Sequence, residues 1–564
     1  MILFPGLIGS ISKVFASLLP SSWNQQQILS GSLATETNDF FGQSVAMNSI
    51  GDRIVVGAEG DEKIGGSGSS GLAYVFISGT GGWTEQHILS GSLAVDSDDD
   101  FGYRVAMNSI GDRIVVGANR DERIGGSVSS GLAYVFISGT GGWSQQHILS
   151  GSLAVGSSDN FGFYVAMNSG GDRIVVGASN DERTGTNNEG LAYVFVSGTG
   201  GWTEQHILSG SLAVDSDDNF GFRVAMNSIG DRIVVGAHGD EKSGGSGSSG
   251  LAYVFVSGTG GWTEQHILSG SLAVDSIDYF GYSVAINSVG DRIVAGTHRD
   301  ERIGGSNSSG LAYVFVSGTA GWTEQHILSG SLAVDSFDNF GWSVAMNSIG
   351  DRIIVGAVQD GKIGTSFEGL AYVFVSGTGG WTQQHILSGT LATDDGDDFG
   401  YSVAMNSIGD RIVVGADEDE RSGGSDSSGL AYVFHDIFSS PSPPPPLSYS
   451  ITSGQTSIDN SSGIYGNPPG TITNTLTLTA TGTGTETVTI NLNDFSSGAI
   501  QCSFDQFTQV NTANITGGSS VSFYFTATDN GVVFTPVSAD LTISGSGGNN
   551  IQTSLIYYPY PNTT

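Results

Sequence analysis

Cysteine is almost missing from these 564 residues, and Cys502 is the only one. A single thiol makes no intramolecular disulfide and no cysteine-based zinc site, and it leaves the redox compartment open. Basic residues are scarce too: 19 Lys and Arg stand against 55 Asp and Glu, a formal net charge of −36. That balance argues against nucleic acid and anionic membranes as partners, because phosphate binding needs clustered Lys and Arg. It suits cation binding, solubility and an exposed extracellular surface. No nucleophile elbow, Walker loop, HExxH or zinc-spaced cluster occurs, so no catalytic small-molecule substrate is expected and the chain is read as non-enzymatic. The one long apolar run, Met1–Pro20, is broken by Pro5 and Lys13. It is too short and interrupted for a membrane span, and lacks the clean basic start and cleavage site of a secretory signal. Residues 1–22 are therefore either a signal or tether, the only expected route to a membrane, or a tail that docks on the rest. Helical periodicity is absent as well.

What the chain does have is a repeat. Trp23, Trp83, Trp143, Trp202, Trp262, Trp322 and Trp381 mark seven near-identical copies, 59 or 60 residues apart. Such a period denotes an array of supersecondary units that must stack to bury their apolar faces. In the second copy, QHILS (86–90), YRVAMN (103–108), RIVVGA (113–118) and LAYVF (132–136) are strand-like runs separated by turn signals. Four strands repeated seven times is the arithmetic of a β-propeller. The seventh copy ends at Phe434 without a Trp-led strand, whereas the first begins with WNQQQIL at Trp23. The N-terminal strand thus supplies what the last unit lacks, and a closed ring removes the edges a linear stack would expose.

The shared pattern is FGxxVAxNSxGDRIVVGA…GLAYVF, as in Phe41-Gly42, Val45-Ala46, Gly51-Asp52, Val55–Ala58 and Leu72–Phe76. It resembles the FG-GAP repeat of integrin α-subunit propellers over residues 23–434. The resemblance implies a seven-bladed ring with the strand after FG innermost, so that the small-residue VAMN strands line the axis. Integrin blades carry a DxDxDG calcium loop in the first hairpin; here that hairpin is only Asn48-Ser49-Ile50-Gly51-Asp52, so that metal site is not carried over. Residues 435–446 contain a proline tract and read as a spacer. Residues 447–564 show alternating runs at 475–480, 487–492, 520–527 and 539–544, expected to form an immunoglobulin-like antiparallel β-sandwich without its disulfide, closed by an irregular tail, YYPYPNTT. The fold class is all-β: a propeller of four-stranded blades plus a sandwich.

The acidic loop before each FG is the candidate calcium site. Asp39, Asp99, Asp159, Asp218, Asp278, Asp338 and Asp397 recur in every copy, and three residues earlier stand Asp96, Asp215, Asp275, Asp335 and Asp394, with Glu36 and Gly156 in the other two. Paired carboxylates on a flexible loop give part of the six to eight oxygens calcium takes; alternatively these Asp residues only cap turns. A second loop carries Asp61-Glu62 and its equivalents and belongs on the same face. Six histidines (His87, His147, His206, His266, His326, His385) share one repeat position, filled by Gln27 in the first copy, which marks scaffold rather than a general base. Gly51-Asp52-Arg53 reads as a hairpin turn followed by an exposed strand residue, not as an adhesion tripeptide.

Copies differ just after FG, where Tyr103, Arg104, Arg223, Tyr282, Trp342 and Tyr401 stand. Aromatic rings and arginines beside acidic loops suit saccharide or protein recognition, and packing between blades is the other reading. The expected function is recognition or adhesion at a cell or virion surface, toward a protein or glycan on another surface. A multivalent lectin and a structural component of a virion or surface layer are the alternatives.

Overall fold

Apolar residues fill both faces of the two middle strands of each repeat, and that dictates stacking. The first five strands are β1 (Trp23–Leu29), β2 (Ser44–Met47), β3 (Arg53–Ala58), β4 (Leu72–Gly79) and β5 (Gly82–Leu89). Alternate residues of a strand face opposite ways. Along β3, Ile54 and Val56 therefore join Phe41, Tyr74 and Phe76 in one cluster. Val55 joins Ala73 and Val75 and meets Phe101, Ile114 and Tyr134 of the next copy. Among the described residues seven such clusters occur, one for each pair of adjoining blades. A lone blade would leave one or both faces in water, and each buried Val, Ile or Phe is worth about 1.5–3 kcal/mol.

The computed structural model describes residues 23–62, 69–122, 129–182, 189–241, 247–300, 308–319, 321–361, 367–394, 396–420 and 427–436, together with the backbone of the strands between 448 and 558. The N-terminal segment and most of the proline spacer lie outside the described residues. The chain divides between Ser439 and Ser440 into two compact units.

Strands β2-β3-β4-β5 form one antiparallel four-stranded sheet, and five further sheets repeat it. The seventh sheet takes Ser402–Met405, Arg411–Ala416 and Leu430–Asp436 from the C-terminal end of the array and β1 from the N-terminal end. Trp23 lies opposite Asp436 and Leu29 opposite Ala431, so the first strand closes the ring as the copy offset implies. This last strand runs through Asp436, into the segment read from sequence as linker. The strands after FG are innermost, each touching its counterparts in the two adjoining blades. At their far ends Ser49, Ser109, Ser169, Ser228, Ser288, Ser348 and Ser407 form a closed circuit. Each backbone N–H donates to the next blade's serine carbonyl at 3.0–3.2 Å, and Ser407 donates to Ser49.

Two glycines explain why F-G and G-A recur together. A Cβ on Gly57 would stand 1.9 Å from the carbonyl oxygen of Gly102 in the next blade. Gly102 itself has φ +99°, and a Cβ there would stand 2.2 Å from the Leu72 carbonyl. Backbone meets backbone at this point, and neither side can yield as a flexible side chain would. Gly57→Ala is expected to cost on the order of 3 kcal/mol, read as a lower melting temperature; an unchanged melt would show that the blades separate there freely.

The Gly-Asp-Arg turn is a clamp between blades. Arg53 Nη1 donates to the Gly111 carbonyl of the next blade at 2.5 Å, and the guanidinium lies 5.9 Å from the Trp143 ring centroid. The circuit closes through Arg352 to Gly409 at 2.8 Å and Arg411 to Gly51 at 2.7 Å. The arginine read from sequence as an exposed strand residue is half-buried, because its partner belongs to the neighbouring copy.

Within 448–558 the backbone forms a four-stranded and a five-stranded sheet. Strands Thr471–Thr481, Thr485–Asn493, Ser520–Thr528 and Val537–Gly545 cover the four alternating runs. One pair, Ser457–Asp459 with Ile556–Tyr558, is parallel. Tyr557 and Tyr558 lie in a strand, so the expected irregular tail begins later than YYPYPNTT.

Candidate functional site

Each pre-FG aspartate is buried, between 2 and 3 % exposed, because its loop folds back over it. Asp39 Oδ2 accepts the backbone N–H of Glu36 at 2.6 Å. The same bond runs to Asp99, Asp159, Asp218, Asp278, Asp338 and Asp397 from the residue three positions earlier, at 2.6–2.7 Å. What the earlier residue contributes is its main chain. That explains why Gly156 and Glu36 substitute freely, and why the carboxylates of Asp96, Asp215, Asp275, Asp335 and Asp394 are exposed.

The second loop provides the close neighbours instead. Asp39, Asp61 and Glu62 bring carboxylate oxygens within 4.8 Å of one another, as do Asp99-Asp121-Glu122, Asp159-Asp181-Glu182, Asp218-Asp240-Glu241 and Asp397-Asp419-Glu420. In the sixth blade Asp338 and Asp360 are followed by Gly361 in place of the glutamate. Asp61 is fixed by the hydroxyl of fully buried Tyr74, which donates to its Oδ2, and its Oδ1 accepts the Glu62 N–H at 2.8 Å. Burial pushes Asp61 up to about 7; the tyrosine bond opposes this and the charge of Asp39 adds to it. Burial likewise raises Asp39 to about 6, against the Glu36 N–H and with Glu62 adding. A hard cation would relieve this crowding. Three carboxylates are part of a calcium shell, with main-chain carbonyls and water needed to complete it.

On the same face the residues directly after FG encircle the axis. Tyr103, Phe163, Phe222, Tyr282, Trp342 and Tyr401 follow one another with ring centroids 4.9–5.6 Å apart, and Gln43 occupies the seventh place. The sequence-derived aromatics therefore pack on one another across blade boundaries. Beneath them Ser44, Arg104, Tyr164, Arg223, Ser283, Ser343 and Ser402 enclose a cavity of about 80 Å³. Arg104 and Arg223 are 6 % and 5 % exposed. A larger axial cavity of about 240 Å³ opens at the opposite end, lined by Met47, Asn48, Ser49 and their equivalents.

Two features escaped the sequence reading. The FG loop residue two before each phenylalanine's predecessor adopts positive φ, as at Asp98 (71°) and Asp217 (70°), and in blades five and six it is Ile277 (80°) and Phe337 (74°). These two side chains are 49 % and 57 % exposed. The signal was visible as the apolar letter in SID and SFD where the other copies read TND, SDD, SSD or DGD. The second feature is a crevice of about 350 Å³ between the outer strands of blades three and four, lined by His206, Ser211, Phe255, Trp262 and Glu264. Glu264 there accepts both the N–H and the hydroxyl of Ser211, at 2.9 and 2.7 Å.

The sequence profile described as FG-GAP repeat matches seven times, at residues 23–76, 83–136, 143–195, 202–255, 262–315, 322–374 and 381–434. No curated protein matches the chain. Among solved structures it is similar to that titled U3-55K (12 % identity, 73 % of this chain and 99 % of that one, TM-score 0.45). It is also similar to the periplasmic gluconolactonase PpgL of Pseudomonas aeruginosa (10 %, 62 % and 84 %, 0.39) and to the GH74 enzyme of Niastella koreensis (15 %, 70 % and 70 %, 0.34).

Proposed function

Because this chain belongs to the FG-GAP repeat family, we propose that its propeller is a calcium-stabilised, non-enzymatic recognition head, exposed at a cell or particle surface and directed at a protein on another surface. The observation that carries this reading is the pair Ile277 and Phe337. A β-branched or aromatic residue at positive φ is strained by about 1–3 kcal/mol. Equivalent loops satisfy the same backbone with Asp, Asn, Ser or Gly. Here the strain accompanies large apolar side chains held in solvent on the FG face, with Phe367 of the sixth blade also 54 % exposed. Exposed apolar surface rimmed by polar residues suits a protein partner. The acidic trios serve this head as cation-bound loop anchors. The C-terminal strands are assigned to an immunoglobulin-like attachment module, and residues 1–22 to a signal or tether.

The test is a screen of the full chain, in millimolar calcium, against arrayed surface proteins and glycans, beside the variant Ile277→Asp/Phe337→Asp. These substitutions install the residue that other blades carry, so folding is retained. Loss of a protein hit by at least tenfold in the variant supports the reading; equal binding by both overturns the placement. A lectin is the second reading, favoured by the crevice beside Trp262, His206 and Glu264, where an aromatic face and directed polar groups suit a sugar. A glycan hit abolished by Trp262→Ala and unaffected by the Ile277/Phe337 pair would select it. A blank on both arrays favours a structural role in an assembly.

A further inference from the structure

The layer beneath the aromatic ring carries two positive charges with no acidic side chain among the residues that line its cavity. Arg104 and Arg223 both line the axial cavity of about 80 Å³. Neither forms an ion pair among the described residues. Arg104 Nη1 donates to the Tyr103 carbonyl at 2.7 Å, and Arg223 Nη1 to the Phe222 carbonyl at 3.4 Å. Both guanidiniums approach the same ring, Tyr164, at 5.6 and 4.8 Å, so two like charges share one small space. Aromatic faces (Tyr103, Phe222 and Tyr282 at 4.5–5.0 Å) offset part of the desolvation. They do not cancel a net charge, and buried charges are ordinarily paired or bound to an ion.

The other blades show what this layer looks like without that charge. Ser283, Ser343 and Ser402 stand at the same position, and each hydroxyl donates to the FG glycine carbonyl of the next blade at 2.7 Å. Serine is thus sufficient for packing, and arginine forfeits that bond. The cavity is lined by glutamine, serine, valine, aromatic and arginine residues, with no acidic side chain among them. Further donors face the space. Ser44 Oγ accepts the Val105 N–H at 3.0 Å, which leaves its own proton to donate. The Gln43 side-chain oxygen is buried without a partner, and turning that amide presents its NH₂ instead.

We propose that the axial cavity binds a single small inorganic anion between the guanidiniums of Arg104 and Arg223. A halide with one or two waters, each about 30 Å³, fills the space. Polymers and sugars are too large for it, so the site is a closed structural one that locks blades two, three and four about the axis, separate from any recognition surface.

The test compares the full-length chain with Arg104→Ser/Arg223→Ser, a variant that installs the residue of the other blades. Melting temperature is measured at constant ionic strength as sodium bromide, or sodium phosphate, replaces sodium gluconate, whose anion is too bulky for the cavity. The wild-type protein is expected to show a saturable rise on the order of 2 °C. The variant is expected to show none and to melt above wild type in gluconate. Parallel curves for the two proteins would overturn the proposal. Crystals of the wild-type chain grown in bromide give an independent readout, needing no variant: an anomalous peak between the two guanidiniums supports the site, and its absence at saturating bromide overturns it.

Discussion

Chains lacking residues 1–29 are expected to lose on the order of 5 kcal/mol and to aggregate on warming. That figure follows from returning one tryptophan and one leucine to water, at about 25 cal/mol per Å² and 150–250 Å² for an aromatic side chain. Trp23 is 7 % exposed and Leu29 2 %; Trp23 packs with Phe399, Tyr432 and Phe434 of the last blade. Loss of β1 also bares Leu430–Asp436 as an unpaired edge, the kind of surface that recruits other chains. The measurement is a thermal melt with light scattering. Grafting WNQQQIL after Asp436 should restore the original melt, because the strand then completes the same sheet from the other terminus. A truncated chain with an unchanged melt would mean that the ring does not depend on this closure.

The second large effect is a calcium response that grows with pH. Asp61, Asp121, Asp181 and Asp419 are raised to about 7, and Asp39, Asp99 and Asp397 to about 6, burial being the first cause in each. In the unfolded chain an Asp titrates near 3.9. The folded protein therefore binds more protons across this interval, and the stabilisation that this confers is complete below about pH 4 and lost as pH rises through 6 to 7. Chelated protein should accordingly show a falling melting temperature from pH 4 to pH 7.5. Calcium, which favours the ionised trios, should restore it, strongly at pH 7.5 and weakly at pH 5. A flat profile under EDTA, or an equal calcium shift at both values, would remove calcium from the acidic loops and leave them as turn caps.

Much of the architecture could be read from the letters because it is local and repeated. RIVVGA and LAYVF announce strands buried on both faces, and the Trp-led strand that heads the array and is missing after its last copy announces closure. What stayed hidden depends on contacts between copies. Arg53 looks solvent-facing until the next blade brings the Gly111 carbonyl to it. Gly57 looks like an ordinary strand glycine until Gly102 arrives against it. In the acidic loops the sequence spacing of three linked Asp96 to Asp99, and the bond does exist, but through the Asp96 main chain; the carboxylate partners, Asp121 and Glu122, come from a loop more than twenty residues on. The aromatic and arginine positions after FG stand out in the sequence because the copies differ there. Only the ring geometry separates Trp342 and Tyr401, packed at a tilt of about 50° to their neighbours in a circle, from Arg104 and Arg223, which line the cavity below it.

The serine circuit at the far end of the axis has an evolutionary consequence. Tandem copies this similar invite unequal recombination, which adds or deletes a whole unit without disturbing the reading frame. The circuit of seven donors and seven acceptors has no first or last member. A chain with one copy fewer or more must close the same bonds at a different angle between neighbours, or leave two of the serines unpaired. Blade number is thereby checked by the protein itself, after each genetic event that alters it.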